Sequence, residues 1–88
     1  MESHPVWRLE IIFTEDDRAT RADVVVDVAG HRHHGWGRAK RNPEDVDVPP
    51  IGEEIAAARA LIRLARQLLG AAESDIEEIE HQPVTLHA

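Results

Sequence analysis

Three segments in the first half of the chain alternate between apolar and polar residues, which is the period of half-buried β-strands. The predicted strands cover residues 6–14, 19–29 and 31–40. A short acidic stretch separates the first two strands, and Gly30 separates the last two. Such short, turn-forming connections predict a three-stranded antiparallel sheet.

Gly35 and Gly37 occupy alternate positions of the third predicted strand, where glycine normally weakens a strand. Glycine inside a strand often marks the close approach of another element. We therefore predict that a helix lies across Gly35, Gly37 and Ala39. Arg32, His34, Trp36, Arg38 and Lys40 would then face away from that helix.

The second half of the chain has the spacing of α-helices. A loop bounded by Asn42-Pro43 and Pro49-Pro50 precedes a long helix predicted over residues 51–69, with Glu53 and Glu54 near the positive end of its dipole. Gly70 is placed where a helix stops, and "SDIE" from Ser74 has the form of a capping box. A second, short helix is therefore predicted over residues 74–81.

The long helix has an apolar stripe that would cover the sheet, with Leu61, Leu64 and Leu68 widening it. The stripe consists of Ile51, Ile55, Ala58, Ile62, Ala65 and Leu69, and Arg59, Arg63 and Arg66 follow the opposite side. The predicted fold is α+β, in the order β-β-β-α-α, as a single domain over residues 1–88.

At 88 residues without cysteine, the chain has a small core that neither disulfides nor cysteine-bound zinc can supplement. Self-association is the remaining common way to bury more surface, so we predict a homodimer. The candidate interface is either the outer sheet face, with Ile12, Val25 and Trp36, or the leucine edge of the helix, with Leu61, Leu64 and Leu68. No apolar run is long enough to span a bilayer and the N-terminus lacks a signal-peptide pattern, so we expect a cytoplasmic protein.

The charge is unevenly distributed along the chain. A net charge of −7 argues against a generic nucleic-acid binder, yet no acid occurs between Gly30 and Pro43. Positive charge combined with a flat ring is typical of nucleic-acid contact, and the candidate residues are Arg32, Trp36, Arg38, Lys40 and Arg41. The alternative is an edge strand whose charges prevent it from pairing with other chains.

Catalytic and metal chemistry have little support in the sequence. His31 and His33 share a strand face while His34 points the other way, and no third ligand is near, so polar strand residues are favoured over a metal site. The chain has no cysteine nucleophile, no HExxH motif and no glycine-rich phosphate loop before a helix. We predict a non-enzymatic protein without a cofactor.

Three stretches of the chain carry a resemblance to a known family. They are "GWGRAKRNP" (35–43), "VPPIGEEIAAARALIRLARQLL" (48–69) and "SDIEEIEHQPVTLHA" (74–88). Together they resemble an actinobacterial family of small proteins of unknown function with a double-stranded-RNA-binding-domain-like fold. The resemblance implies a dimeric protein that lacks the first helix of that fold, with some members linked to dormancy and likened to ribosome hibernation-promoting factors. It implies no catalytic residue.

Two main hypotheses follow from the residues and the resemblance, besides a metal-responsive or pH-responsive element that would use the histidines. The first is a stress-associated homodimer that interacts with RNA or the ribosome. The second is a protein–protein interaction module without nucleic-acid contact, using the apolar residues of the outer sheet face or of the helix.

Overall fold

The computed structural model describes residues 2–41 and 49–88. Three strands, β1 (Leu9–Glu15), β2 (Ala19–Val28) and β3 (His31–Lys40), form one antiparallel sheet in the order β1-β2-β3. A single helix follows, α1 (Pro49–Glu80). Most of the predicted loop before the helix, residues 42–48, lies outside the described residues.

The two turns explain the strand order. In the first, the carboxylate of Asp16 accepts hydrogen bonds from the backbone N–H groups of Arg18 at 2.7 Å and Ala19 at 2.9 Å, and these bonds lower its pKa. In the second, Ala29 and Gly30 have φ angles of 51° and 79°. Two successive residues with positive φ form the tight turn whose twist matches that of a β-hairpin. The predicted antiparallel sheet is thereby confirmed.

The prediction of two helices is wrong, because α1 runs through Gly70 and Ser74 without a break. A glycine inside a helix costs only about 1 kcal/mol relative to alanine, and leucine and alanine on both sides of Gly70 favour the helix. Helix α1 instead ends at Glu80, and the next residue, His81, has a φ of 58° and donates its N–H to the Glu77 carbonyl at 2.7 Å.

The start of α1 also differs from the prediction. Pro49 and Pro50 are its first two residues, where proline is tolerated because the first N–H groups of a helix have no partner within the helix. Glu53 and Glu54 consequently lie beyond the first turn, which contains no acid.

The predicted glycine track under the helix is confirmed. A Cβ atom added to Gly35 would lie 2.6 Å from the backbone nitrogen of Leu64, and one added to Gly37 would lie 2.7 Å from the Cβ of Arg59. Only glycine allows the two backbones to come so close. The core around this contact consists of Ala22, Val24, Val26, Ala39, Ala56, Ala60 and Leu64.

The face of α1 that covers the sheet is not the predicted one. Ala56, Ala60 and Leu64 face the glycines, whereas Ile51, Ile55 and Ile62 are exposed. Residues four apart in a helix rise about 6 Å and residues two apart in a strand about 6.7 Å, so successive alanines match successive glycines. Small residues are required there because α1 lies directly on the backbone of β3.

Helix α1 packs mainly against β3 and β2, which leaves β1 uncovered. Leu9, Ile11 and Phe13 pair with buried β2 residues on the helix side of the sheet, yet they are 43%, 38% and 39% exposed. One edge of the sheet therefore presents an apolar surface. No helix in the described part of the chain is long and apolar enough to cross a membrane.

Candidate nucleic-acid interface

Three side chains of α1 reach over the outer edge of β3. Arg59 donates from Nη1 to the backbone carbonyl of Arg38 at 2.7 Å. Gln67 accepts a hydrogen bond from the backbone N–H of His34 at 2.8 Å. Between these two contacts, the guanidinium carbon of Arg63 lies 3.7 Å from the ring centroid of Trp36.

These three contacts form a regular series because the helix residues are one turn apart and the strand residues alternate. We call the series the edge ladder; it comprises the pairs Arg59–Arg38, Arg63–Trp36 and Gln67–His34. An edge strand whose backbone groups already have partners is a poor template for another strand. The edge ladder thus gives partners to two backbone groups of this edge, the His34 N–H and the Arg38 carbonyl.

Trp36 lies on the face of the sheet opposite the helix, as predicted, and is 37% exposed. Two guanidinium groups lie over its ring: that of Arg63, and that of Arg21 with its carbon 4.7 Å from the centroid. Cations over an indole face are attracted by the ring quadrupole. Because arginines already occupy this ring, Trp36 does not offer the open stacking surface that a base would need.

Four arginines meet beside the edge ladder. Arg38 from β3 and Arg59, Arg63 and Arg66 from α1 line an open cleft of about 360 Å³, together with Gly37 and Ile62. We call this the arginine cleft. Within residues 2–41 and 49–88, none of the four arginines has a carboxylate oxygen within 4.0 Å.

The other predicted nucleic-acid contacts lie outside the arginine cleft. Arg32 pairs with Asp27, Nε to Oδ1 at 3.0 Å, and this hydrogen bond lowers the pKa of Asp27. Lys40 is exposed at the end of β3. Arg41 holds the end of the hairpin, its backbone N–H donating to the Arg18 carbonyl at 2.7 Å.

The sheet separates His34 from His31 and His33. His34 Nε2 lies 2.7 Å from Asp23 Oδ1, and Asp23 also accepts two hydrogen bonds from Arg21 at 3.0 Å. The hydrogen bonds from Arg21 and then His34 lower the pKa of Asp23. His33 is half-buried on the helix side and His31 is exposed. In the described ranges, no three potential ligands are placed to bind a metal ion.

The residues predicted for the two alternative dimer interfaces lie on the outer sheet face and on the helix. Ile12, Val25 and Trp36 are on the outer sheet face, whereas Leu61 is exposed on the helix. Leu64 is 2% exposed and Leu68 packs against the core. Leu64 is therefore buried within the monomer and cannot contact a second subunit.

The sequence prediction missed the helical arginines by placing them on the solvent side. The sequence does contain a feature that predicts their location. Arg59 comes one residue before Ala60, and Arg63 comes three residues after it. In a helix both positions lie within about 100° of Ala60 on the same side. Once Ala60 is known to face glycine, these arginines must flank the sheet.

Fold and site together define a small α+β protein whose helix contacts a sheet edge through arginine and glutamine side chains. Residues 5–85 match the family described as Rv2632c-like. The chain belongs to this family, and the resemblance to a small family of unknown function is confirmed.

The relatives are themselves uncharacterised proteins. The chain is 44% identical over 78 residues to Rv2632c of Mycobacterium tuberculosis (strain ATCC 25618 / H37Rv), covering 89% of this chain and 84% of that protein. It is 38% identical over 80 residues to Mb1767 of Mycobacterium bovis (strain ATCC BAA-935 / AF2122/97), covering 91% and 85%. The crystal structure of Rv2632c superposes with a TM-score of 0.85 at 39% identity, covering 93% of this chain and 98% of that one.

Proposed function

We propose that this chain is a non-enzymatic cytoplasmic homodimer that associates with RNA, in the setting of the ribosome and of stress or dormancy. The observation that carries the proposal is a cluster of four arginines without an ion-paired carboxylate among the described residues. Carboxylates pair with Arg21 and Arg32, but in the described residues none pairs with the four arginines of the cleft. A chain of net charge −7 thus keeps one cationic surface.

A cationic surface on an acidic protein favours a polyanionic partner. Phosphate neutralisation supplies most of the sequence-independent affinity for nucleic acid. The link to the ribosome and to dormancy comes from the family resemblance. A helix on one face of a three-stranded antiparallel sheet is what the chain would share with double-stranded-RNA-binding domains, and this likeness supports the proposal by analogy only.

The homodimer is supported by β1. It is the edge of the sheet opposite the edge ladder, and its apolar residues Leu9, Ile11 and Phe13 are exposed beside the helix. Leu61, which is 39% exposed, points away from Arg63 and so lies on the same side of α1 as β1. Antiparallel pairing of β1 with β1 of a second copy would join two three-stranded sheets and cover these residues.

The RNA part of the proposal is tested by sedimentation with purified ribosomes and by binding to labelled RNA at increasing salt. We expect association that weakens by about one order of magnitude or more between about 50 and 200 mM salt. Absence of any association at the lower salt concentration overturns the RNA function. The alternative function, a protein–protein interaction module, would then remain, and the exposed edge and face of β1 would support it.

The dimer is tested by light scattering at micromolar concentration. We expect a dimeric mass that Ile11→Lys reduces to that of a monomer, because a charge on the helix side of β1 would be buried in the interface. Ile12→Lys probes the outer sheet face in the same strand. If only Ile12→Lys dissociates the dimer, the subunits meet through the outer face. A monomeric wild-type chain removes the dimer and leaves RNA association to its own test.

A further inference from the structure

We propose that the arginine cleft is a binding site for successive phosphate groups of a phosphodiester or polyphosphate chain. This inference deepens the proposed function, since it assigns RNA contact to the groove between α1 and β3 and to the phosphates alone. Arg59, Arg63 and Arg66 were not among the residues that the sequence analysis predicted to contact nucleic acid.

The side chains fit oxyanions chemically. Guanidinium groups are planar, permanently charged and able to donate two parallel hydrogen bonds to one phosphate. Arg59 donates one hydrogen bond to the Arg38 carbonyl, and this bond fixes the position of the Arg59 side chain. The other N–H groups of Arg59 can donate to a ligand. Arg63 is held in a similar way by its contact with Trp36. These two side chains are therefore ordered before any ligand binds, which lowers the entropic cost of binding.

The charges of the cleft repel one another in the absence of an anion. The chain has 17 acidic residues, yet in the part that the structure describes none forms an ion pair with Arg38, Arg59, Arg63 or Arg66. The next acids along this side of α1 are Glu73 and Glu77, beyond Gly70, and Glu77 accepts a hydrogen bond from the Val84 N–H at 2.9 Å. A bound phosphate would supply the missing counter-charge.

The shape of the cleft favours a chain of phosphates over a single one. Arg59 and Arg66 are seven residues apart, which is about 10 Å along the helix. This distance is longer than one phosphate group, so the arginines can contact successive phosphates of one strand. The cleft is open, so a longer strand can pass through it without an end entering a pocket.

The cleft offers little that would read bases. Among the described residues that line it, Ile62 has the only apolar side chain, and two guanidinium groups lie over the Trp36 ring beside it. Phosphate contacts fix the position of a nucleic acid without reading its sequence. Binding should therefore depend weakly on base composition and strongly on salt.

The test uses Arg66→Gln and Arg38→Gln, because among the described residues neither side chain makes a hydrogen bond or an ion pair, and only the backbone of Arg38 is in the edge ladder. Arg8→Gln is the matched control, since it removes the same charge at the opposite edge of the sheet. Thermal unfolding shows that each variant is folded. The probes are a fluorescein-labelled single-stranded RNA of mixed sequence and inorganic tripolyphosphate.

We expect each cleft variant to weaken RNA binding roughly tenfold, as for loss of one charge-assisted hydrogen bond, and Arg8→Gln to change it far less. The slope of log affinity against log salt should fall by about 1.4 in the double variant, at about 0.7 per lost phosphate contact on a single strand. Equal RNA binding by wild type and both cleft variants would overturn the cleft as the site while leaving RNA association intact.

The measurements with tripolyphosphate distinguish RNA from a free polyphosphate as the source of the bound phosphate groups. Tripolyphosphate binding that requires Arg38 and Arg66, with no RNA binding at low salt, would support the cleft as a phosphate site and overturn the proposed RNA function. Binding of neither probe at low salt would overturn both.

Discussion

The guanidinium carbon of Arg63 lies 3.7 Å from the ring centroid of Trp36, although α1 and the Trp36 side chain lie on opposite faces of β3. Arg63 belongs to the helix on one face, and Trp36 points to the other. The side chain of Arg63 must pass around the outer edge of the strand to reach the ring. The contact therefore fastens α1 to β3 at the same edge where the arginine cleft opens.

A double-mutant cycle with Arg63→Ala and Trp36→Ala should give a coupling free energy of about 0.5–1 kcal/mol, as for a cation–π pair at an exposed site. Urea unfolding of the four proteins measures it. A parallel cycle with Arg66→Ala and Trp36→Ala should give a coupling near zero, because no contact joins that pair. Equal couplings in the two cycles would show that general charge, and not the stacked geometry, links the helix to the ring.

Gly37→Ala should destabilise the fold by about 1–3 kcal/mol or more, because the added Cβ would meet the backbone of α1 and neither element can move without the other. Gly70→Ala is the matched control within the helix. A Cβ at position 70 meets nothing within 4 Å, so this variant should gain up to about 1 kcal/mol in stability. Chemical unfolding measures both, and a neutral Gly37→Ala variant would contradict the close approach of helix and strand.

Gln67→Ala should expose the backbone N–H of His34, which donates to the Gln67 side chain at 2.8 Å. We expect a loss of about 0.5–1.5 kcal/mol and faster hydrogen exchange at the His34 amide, with amides in the interior of β2 unchanged. Gln82→Ala, beyond the end of α1, serves as the control. An unchanged exchange rate at His34 would mean that water already reaches this amide.

Asp23→Asn should lower the free energy of unfolding at neutral pH. The difference from the wild type should become smaller as the solution becomes acidic. The hydrogen bonds from Arg21 and His34 lower the pKa of Asp23 in the folded protein. A carboxyl group whose pKa is lowered by folding stabilises the folded protein at pH values above its pKa in the unfolded chain, which is about 3.9. This stabilisation is lost as the pH falls through the pKa of the group in the folded protein.

The expected loss at pH 7 is below about 1 kcal/mol, because the pair is partly exposed to solvent. Urea unfolding of the wild type and Asp23→Asn at pH 7 and at about pH 3 measures the difference, and Asp75→Asn on the exposed helix surface is the control. A stability gap that stays constant or widens towards low pH would contradict the assigned direction of the pKa.

Local signals were sufficient for the sheet but misleading at the end of the helix. Alternation and turn residues gave three strands within a few residues of their actual bounds. Gly70 and the "SDIE" sequence are both typical of helix ends, and both lie inside α1. Helix-forming neighbours outweigh a penalty of about 1 kcal/mol at one glycine, which a motif considered alone cannot reveal.

The amino-acid sequence by itself determined that an α+β domain forms and that Gly35 and Gly37 lie beneath a helix, because periodicity and the absence of a side chain are local properties. Tertiary structure alone decided which face of α1 meets the glycines. Contact with bare backbone selects the small side chains of Ala56 and Ala60 over the larger isoleucines. That rotation of the helix brings Arg59 and Arg63 to the edge of β3 and leaves β1 uncovered, so the candidate site depends on packing between residues distant in sequence.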